Sequence, residues 1–341
     1  MRSDFLMPGT DLRVSPIALG TTKAGIAWQG AAADRIFDRY LDLGGNIIDT
    51  ARIYTPPTPG ASESAIGQWL RRSGKRQQVI LVTKGGHPDI HTMHEGRMAY
   101  DDMAADLDAS LVALGTDVID LYFYHRDDEN RPVAELLETM ERFRQAGKIR
   151  WYGCSNWRAG RIREANAYAR AHGLAGFVAN QCEYNVGTSH MGPMRDDTMV
   201  AAGQEMLCLH ADGQLTLMAY CSMCGGFFHK LLSQGEEAVC TKRYFTPGNL
   251  QAAQRLKALQ EAYHASLSQV ELGFLLTRPF PVVALAGVSC EAQLEDLMKA
   301  TDIPFREKDY SFAVEKDTID MRKTLDEEKM RHNGTQNVSS H

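Results

Sequence analysis

No stretch of the chain approaches the roughly 18 consecutive apolar residues of a membrane span, and the opening Met1-Arg2-Ser3-Asp4 has no apolar run suited to a secretory signal. A cytoplasmic protein without membrane contact is the expectation. Clusters of basic residues are also missing, and the formal net charge is -6. This argues against a nucleic-acid or anionic-membrane partner, so any phosphate site has to be built locally. Cysteine is sparse: seven residues, at 154, 182, 208, 221, 224, 240 and 290, odd in number and scattered. That pattern fits reduced thiols better than a disulfide framework. No Gly-x-Gly-x-x-Gly follows any strand-like run, so a Rossmann-type dinucleotide site is not supported.

What remains is the composition of an ordinary globular protein, 44% hydrophobic and 23% charged over 341 residues. Length alone would allow two domains, but barrels of alternating strand and helix run this long as one unit. Residues 5–16, with Pro8-Gly9-Thr10-Asp11 between two short apolar runs, read as a β-hairpin. Eight strand and helix pairs follow: 17–19 with 32–43, 46–50 with 62–73, 79–83 with 101–115, 119–124 with 133–146, 149–153 with 158–172, 177–181 with 196–211, 215–219 with 250–264, and 282–286 with 291–300. In the first helix Ile36, Phe37, Tyr40, Leu41 and Leu43 make a stripe at helical spacing, which reads as core. The eightfold alternation predicts the α/β class and a closed parallel (β/α)8 TIM barrel, with its chemistry on the loops at the carboxyl ends of the strands. The seventh loop is long: it adds residues 221–250 and a helical stretch near 268–278. One barrel is expected over residues 1–325, followed by a polar tail, 326–341, to which no chemistry is assigned.

Three successive strands end on chemistry-bearing residues. Asn46-Ile47-Ile48 ends on Asp49, Val79 to Thr83 ends on Lys84, and Leu121 to Tyr124 ends on His125, while Tyr54 lies in the loop after the first of these. A lone loop lysine is usually solvated and a lone histidine is usually structural. Their shared position at strand ends is what makes them a candidate site. A phenol works as acid or base only if a neighbouring cation lowers its pKa from about 10, and Lys84 is placed to be that cation.

The motifs Asp49-Thr50-Ala51-x-x-Tyr54, Thr83-Lys84-Gly85, His125-Arg126-Asp127-Asp128 and Gly153-Cys154-Ser155-Asn156 resemble the aldo-keto reductase superfamily over roughly residues 5–300. The resemblance implies that the hairpin plugs the amino-terminal mouth of the barrel. It also implies that NADP or NAD lies across the other mouth and that a small aldehyde or ketone is reduced to an alcohol, or the reverse. Asp49, Tyr54, Lys84 and His125 would be catalytic: Tyr54 exchanges the proton with the substrate oxygen, Lys84 and Asp49 tune it, and His125 orients the oxygen. Thr21 and Thr22 after the first strand would meet the cofactor. Ser155, Asn156 and Gln181 would grip its carboxamide, Tyr220 would stack on its nicotinamide, and Ser222, Met223 and Gly226 would border its pyrophosphate. Gly287, Ser289, Gln293 and Asp296 would hold its adenosine end. Trp28, Trp157 and the loop Thr55-Pro56-Pro57-Thr58-Pro59 are expected as pocket walls, with Tyr54 and His125 at their base.

Three departures stand out. The loop after Tyr220 reads Cys221-Ser222-Met223-Cys224-Gly225-Gly226 where Tyr-Ser-Pro-Leu is common. Its Cys-x-x-Cys lacks a second pair at metal-ligand spacing and is read as structural, and His87, His91 and His94 are read as a solvated loop, so no metal is expected. After the eighth strand, Ser289 stands where an arginine or lysine usually meets a 2′-phosphate, and Glu291 adds a negative charge nearby. A relaxed preference between NADPH and NADH is therefore expected, unless Lys242 or Arg243 reaches over from the long loop. Polar His87, Asp89, Arg126 and Asp128 near the mouth suggest a hydroxylated, sugar-like carbonyl. The alternative is a nucleotide-sensing regulatory subunit on the same barrel, as the potassium-channel β subunits resemble.

Overall fold

The computed structural model describes residues 4–54 and 58–314. Thr55, Pro56 and Pro57 of the proline-rich loop, and the polar tail expected at 326–341, lie outside the described residues. The chain opens with an antiparallel hairpin, β1 (Phe5–Leu6) and β2 (Arg13–Val14), in which Phe5 pairs with Val14. Eight parallel strands then close into a barrel: β3 (Ile17–Gly20), β4 (Ile47–Asp49), β5 (Ile80–Gly85), β6 (Ile119–Tyr124), β7 (Ile149–Ser155), β8 (Ala179–Glu183), β9 (Thr216–Tyr220) and β10 (Val282–Gly287), with β10 hydrogen-bonded to β3. The predicted (β/α)8 class and hairpin are both present.

Strands buried on both faces read as continuous apolar runs, and the core accordingly forms two shells. Inside the barrel pack Ile47, Val82, Leu121, Phe123, Met218 and Val283, joined by Met7, Leu12 and Val14 of the hairpin segment, so the hairpin closes one end of the interior. Each such side chain contributes about 1.5–3 kcal/mol relative to exposure. Outside lies the larger shell between strands and helices. The first helix, α1 (Ala31–Asp42), shows how a helix docks there: Ala33, Ile36, Phe37 and Tyr40 form its buried stripe. The Tyr40 hydroxyl donates to Ile17 O at 2.8 Å and accepts from Ile47 N at 3.1 Å, tying the helix to β3 and β4. Leu41 and Leu43, expected in that stripe, are only partly buried at its edge.

The ring of helices continues with α2 (Ala61–Ser73), α3 (Tyr100–Leu114), α4 (Val133–Gln145), α5 (Ala159–His172), α6 (Gln204–His210), α7 (Phe227–Gln234), α8 (Pro247–Tyr263), α9 (Leu267–Leu276) and α10 (Glu291–Met298). Two differ from expectation. The helix predicted at 196–211 begins only at Gln204, because Asp196 Oδ1 accepts from the backbone and hydroxyl of Thr198 and turns the chain. The next residues run extended beside β8, where Glu183 N donates to Val200 O at 2.9 Å. In the long seventh loop, α7 was not foreseen; its Phe227 and Phe228 are buried. Among the described residues no helix is long and apolar enough to cross a membrane.

Candidate active site

Barrel register fixes which residues meet at the carboxyl face. Gly20 of β3 stands beside Asp49 of β4, Lys84 of β5 beside Phe123 of β6, Ser155 of β7 beside Gln181 of β8, and Glu183 beside Tyr220 of β9. The loops leaving these positions border one cavity of about 1160 Å³. Of the described residues predicted for the site, all but Thr21, Trp28, Trp157 and the loop residues Thr58 and Pro59 line it.

Lys84 is the hub. It is 1% exposed, and its ammonium donates to Asp49 Oδ1 at 2.7 Å, Thr50 O at 2.7 Å and the Tyr54 hydroxyl at 3.1 Å. These three bonds use all three of its donors. Asp49 is held on its other side by Gln181 Nε2, 2.7 Å from Oδ2. Burial, the largest single influence, would push Lys84 toward the neutral amine, but the Asp49 carboxylate and the Tyr54 hydroxyl together outweigh it and hold the pKa above the ordinary value. Burial acts on Tyr54 in the opposite sense: it raises the phenol pKa, and the Lys84 cation offsets only part of that rise. Lys84 does act to lower this pKa, as expected from the sequence, but burial acts more strongly and the net direction is upward. His125 lies edge-on to Tyr54, ring centroids 5.9 Å apart. Burial, reinforced by Lys84, holds its pKa well below the usual imidazole range, so the ring is neutral. Its Nδ1 is buried with no hydrogen-bond partner.

A second polar cluster lies beside the first. Asn156 adopts a left-handed conformation, φ 62°, which asparagine tolerates better than most residues. Its Oδ1 accepts from the Tyr220 hydroxyl at 2.7 Å and from Val200 N at 3.1 Å, while Nδ2 donates to His125 O at 3.2 Å and Ser155 Oγ at 3.1 Å. Tyr220, Asn156 and Ser155 are therefore mutually braced, with the Tyr220 ring bordering the cavity. After Tyr220 the loop turns tightly. Cys224 N donates to Cys221 O at 2.8 Å, and Gly225 and Gly226 adopt φ 60° and 76° with open space where a Cβ would stand.

Several expectations are corrected. Trp28 is buried against Phe37, centroids 6.4 Å apart, and Trp157 lies between Tyr124 and Phe177 with its indole N–H on Arg126 O at 3.1 Å. Both are core side chains, directed between barrel and helices, and not cavity walls. Thr21 is likewise fully buried, its hydroxyl donating to Asp49 O at 2.8 Å, so it fixes the strand end while its neighbour Thr22 lines the cavity. Arg243 does not reach the adenosine end: its guanidinium pairs with buried Glu183 at the end of β8 and packs over Tyr244. Lys242 is also absent from the cavity lining. Of the four polar groups expected near the mouth only Arg126 lines the cavity, held by Asp196 at 3.1 Å and Thr198 at 3.0 Å. His87 packs instead on the far side of His125, centroids 4.7 Å apart. Among the described residues no group of three or more His, Cys, Asp or Glu is arranged to hold a metal. All seven cysteines are free, and the buried Cys224 thiol donates to Asn185 Oδ1 at 3.1 Å.

Sequence reading missed Lys23, Met199, His229, Lys230 and Ser268, all of which border the cavity. For Lys23 the signal was present, since it lies three residues beyond the end of a barrel strand on the face where the chemistry collects.

A closed parallel barrel carrying Asp, Tyr, Lys and His together at the carboxyl ends of its strands defines a class of (β/α)8 proteins. A model of the aldo/keto reductase family matches residues 16–317, and the chain belongs to that family. It is 29% identical to an uncharacterized oxidoreductase of Bacillus subtilis over 304 residues, covering 86% of this chain and 89% of the relative. It is 33% identical over 197 residues to an aryl-alcohol dehydrogenase of Pestalotiopsis microspora, covering 54% of this chain and 50% of that one. It is also 31% identical over 199 residues to an aryl-alcohol dehydrogenase [NADP(+)] of Phanerodontia chrysosporium, covering 53% and 51%. The match thus spans about half the length of these two dehydrogenases.

Proposed function

We propose that this chain is an NAD(P)-dependent oxidoreductase that interconverts an aldehyde or ketone and its alcohol, with Tyr54 as the general acid and base. The observation that carries the reading is the Lys84 ammonium, fully buried and bridging the Asp49 carboxylate to the Tyr54 hydroxyl at the cavity wall. A buried ion pair is a poor stabilising device compared with apolar packing, and here it is aimed at an ionisable phenol facing a cavity. Such convergence is the mark of a reactive site.

The cavity fits a dinucleotide. Its volume exceeds that of most small-ligand pockets, and the open, left-handed Gly225 and Gly226 expose backbone beside it. Ser155, Asn156 and Gln181 would hold the carboxamide, the Tyr220 ring the nicotinamide, Ser222 to Gly226 the pyrophosphate, and Ser289, Gln293 and Asp296 the adenosine end. With one Gln181 Nε2 hydrogen engaged by Asp49, its second amide hydrogen and its carbonyl oxygen are left to donate and accept. When bound in reduced form, the nicotinamide supplies hydride.

The protein's own part is the proton. Tyr54, protonated at neutral pH because burial raises its pKa, donates from its hydroxyl to the substrate oxygen as negative charge develops there, and Lys84 stabilises the phenolate that results. Neutral His125 offers one N–H to the same oxygen without competing for the proton. In the oxidative direction the phenolate takes the proton back.

An aromatic carbonyl is favoured over a sugar-like one. Two relatives are named for aryl alcohols, and only one of the four polar mouth residues reaches the cavity wall. Tyr54→Phe should lower turnover on aryl aldehydes by about 10² to 10⁴ with dinucleotide affinity unchanged. A variant that retains most of its rate removes Tyr54 from the role. Dinucleotide binding by the native protein without turnover on any aryl or sugar-like carbonyl would favour a nucleotide sensor instead.

A further inference from the structure

We infer that Lys23 is the cation that reads the 2′-phosphate of the dinucleotide, in place of the basic residue absent from the loop after β10. This rests on the dinucleotide reading above. A 2′-phosphate is recognised by charge-assisted hydrogen bonds from a fixed cation, and Gly287-Val288-Ser289 offers none of its own. The structure brings one from the other side of the barrel seam. Gly20 and Gly287 are register partners where β3 meets β10. Three residues beyond Gly20, the Lys23 ammonium donates to Ser289 Oγ at 2.5 Å. Both residues border the cavity, as does Gln293, whose Oε1 accepts from Ser289 N at 2.7 Å.

The donor count suits a phosphate. With one ammonium hydrogen on Ser289, Lys23 keeps two more, the Ser289 hydroxyl hydrogen is free to turn toward another acceptor, and the Gln293 NH₂ adds further donors. Two neighbouring carboxylates are paired elsewhere, Glu291 with Arg35 at 2.8 Å and Glu295 with Arg39 at 2.7 Å, and Asp296, which also lines the cavity, accepts from Ser266 Oγ at 2.7 Å and Gln269 Nε2 at 2.9 Å. The two cations that sequence suggested do not compete, since Arg243 is committed to Glu183 and Lys242 does not line the cavity. Lys230 borders the cavity from α7, but the Lys23 ammonium is the one in contact with Ser289. The consequence is a preference for NADPH, opposite to the relaxed preference that Ser289 alone suggests.

The test is equilibrium titration of the full chain with NADPH and with NADH, read by tryptophan fluorescence and checked by ligand-induced thermal shift, for the native protein, Lys23→Met and Lys230→Met. Native protein should bind NADPH more tightly than NADH. Lys23→Met should weaken NADPH by about ten- to a hundredfold, the loss of one hydrogen bond to a charged group, with NADH within twofold. Lys230→Met should leave the ratio of the two affinities unchanged. Equal weakening of both dinucleotides by Lys23→Met would place the ammonium on a part they share. Weakening of neither, or a selective loss in Lys230→Met, would also overturn the assignment. Each of these patterns leaves the dinucleotide reading standing, because the native protein binds. Native protein that binds neither dinucleotide overturns that reading and the Lys23 assignment with it.

Discussion

Replacing Lys84 by methionine keeps an unbranched apolar stem of similar length and removes the charge at its end. In the native protein that charge is 1% exposed and meets Asp49, Thr50 O and the Tyr54 hydroxyl. Without it Asp49, 2% exposed, keeps a single side-chain hydrogen bond, from Gln181 Nε2 to Oδ2. Oδ1 is left facing a thioether. Losing one neutral hydrogen bond costs about 1 kcal/mol, whereas removing one partner of a buried ion pair costs roughly 3–5 kcal/mol because the other charge stays buried. Urea unfolding at pH 8 should therefore show a fall of that size, carried by the midpoint at unchanged slope.

Two controls separate this cause from simple misfolding. The double variant Asp49→Asn with Lys84→Met removes both charges, so it should recover about 1–3 kcal/mol relative to the sum of the single changes. In the single variant an unpaired buried Asp49 has its pKa raised above the unfolded value. A group with a raised folded pKa is stable below its unfolded pKa and loses that stability as pH rises, so the deficit should shrink on going from pH 8 toward pH 5. Turnover should fall as well, since Tyr54 loses the cation that opposes its burial. A loss below about 1 kcal/mol, with no recovery in the double variant, would refute the reasoning that the site is organised around a buried charge pair.

Glu271 on α9 is fully buried with no lysine or arginine among the described residues paired to it, His229 Nε2 lies 3.5 Å away, and burial outweighs the Cys224 thiol's contact, so its pKa is pushed up to about 8. Stability from that group is present below an unfolded pKa of about 4.3 and is lost as pH rises through 8. Glu271→Gln should accordingly be near neutral at pH 4.5 and stabilising by a few kcal/mol at pH 9 in urea melts; a variant with no pH-dependent gain would show that the carboxyl is not buried alone. Cys224→Ser should keep activity, because a hydroxyl can donate to Asn185 as the thiol does. Metal analysis of the native protein should find no stoichiometric zinc, and loss of activity on chelation would reverse the structural reading of the Cys-x-x-Cys.

The parts of this protein that sequence made legible are those in which one residue's position implies its neighbour's. β4, β5 and β6 are apolar runs at the spacing of βα units, and the residues that end them, Asp49 and Lys84 with His125 just beyond, had to meet once the barrel closed. The missed features depend on competition between side chains far apart in the chain. The expected helix at 196–211 lost its first turns to the Asp196 and Thr198 side chains, whose bonds to the backbone outweighed a helical pattern. Trp157 follows directly after a site residue, but adjacency in sequence says nothing about which side of the backbone a side chain leaves, and its ring found Tyr124 and Phe177 in the outer shell.

Arg243 shows the same competition among charges. Sequence offers Arg243 as a phosphate ligand, but buried Glu183, 60 positions away, takes its guanidinium instead. An uncompensated buried carboxylate is the costlier vacancy, so the arginine goes there. The proposed 2′-phosphate site is then left to a cation whose alternatives are poorer. Lys23, half-exposed in the loop after β3, is that cation, and its contact with Ser289 spans 266 positions. It exists only because the first and last strands of the barrel are hydrogen-bonded neighbours, which places the loops after Gly20 and Gly287 side by side.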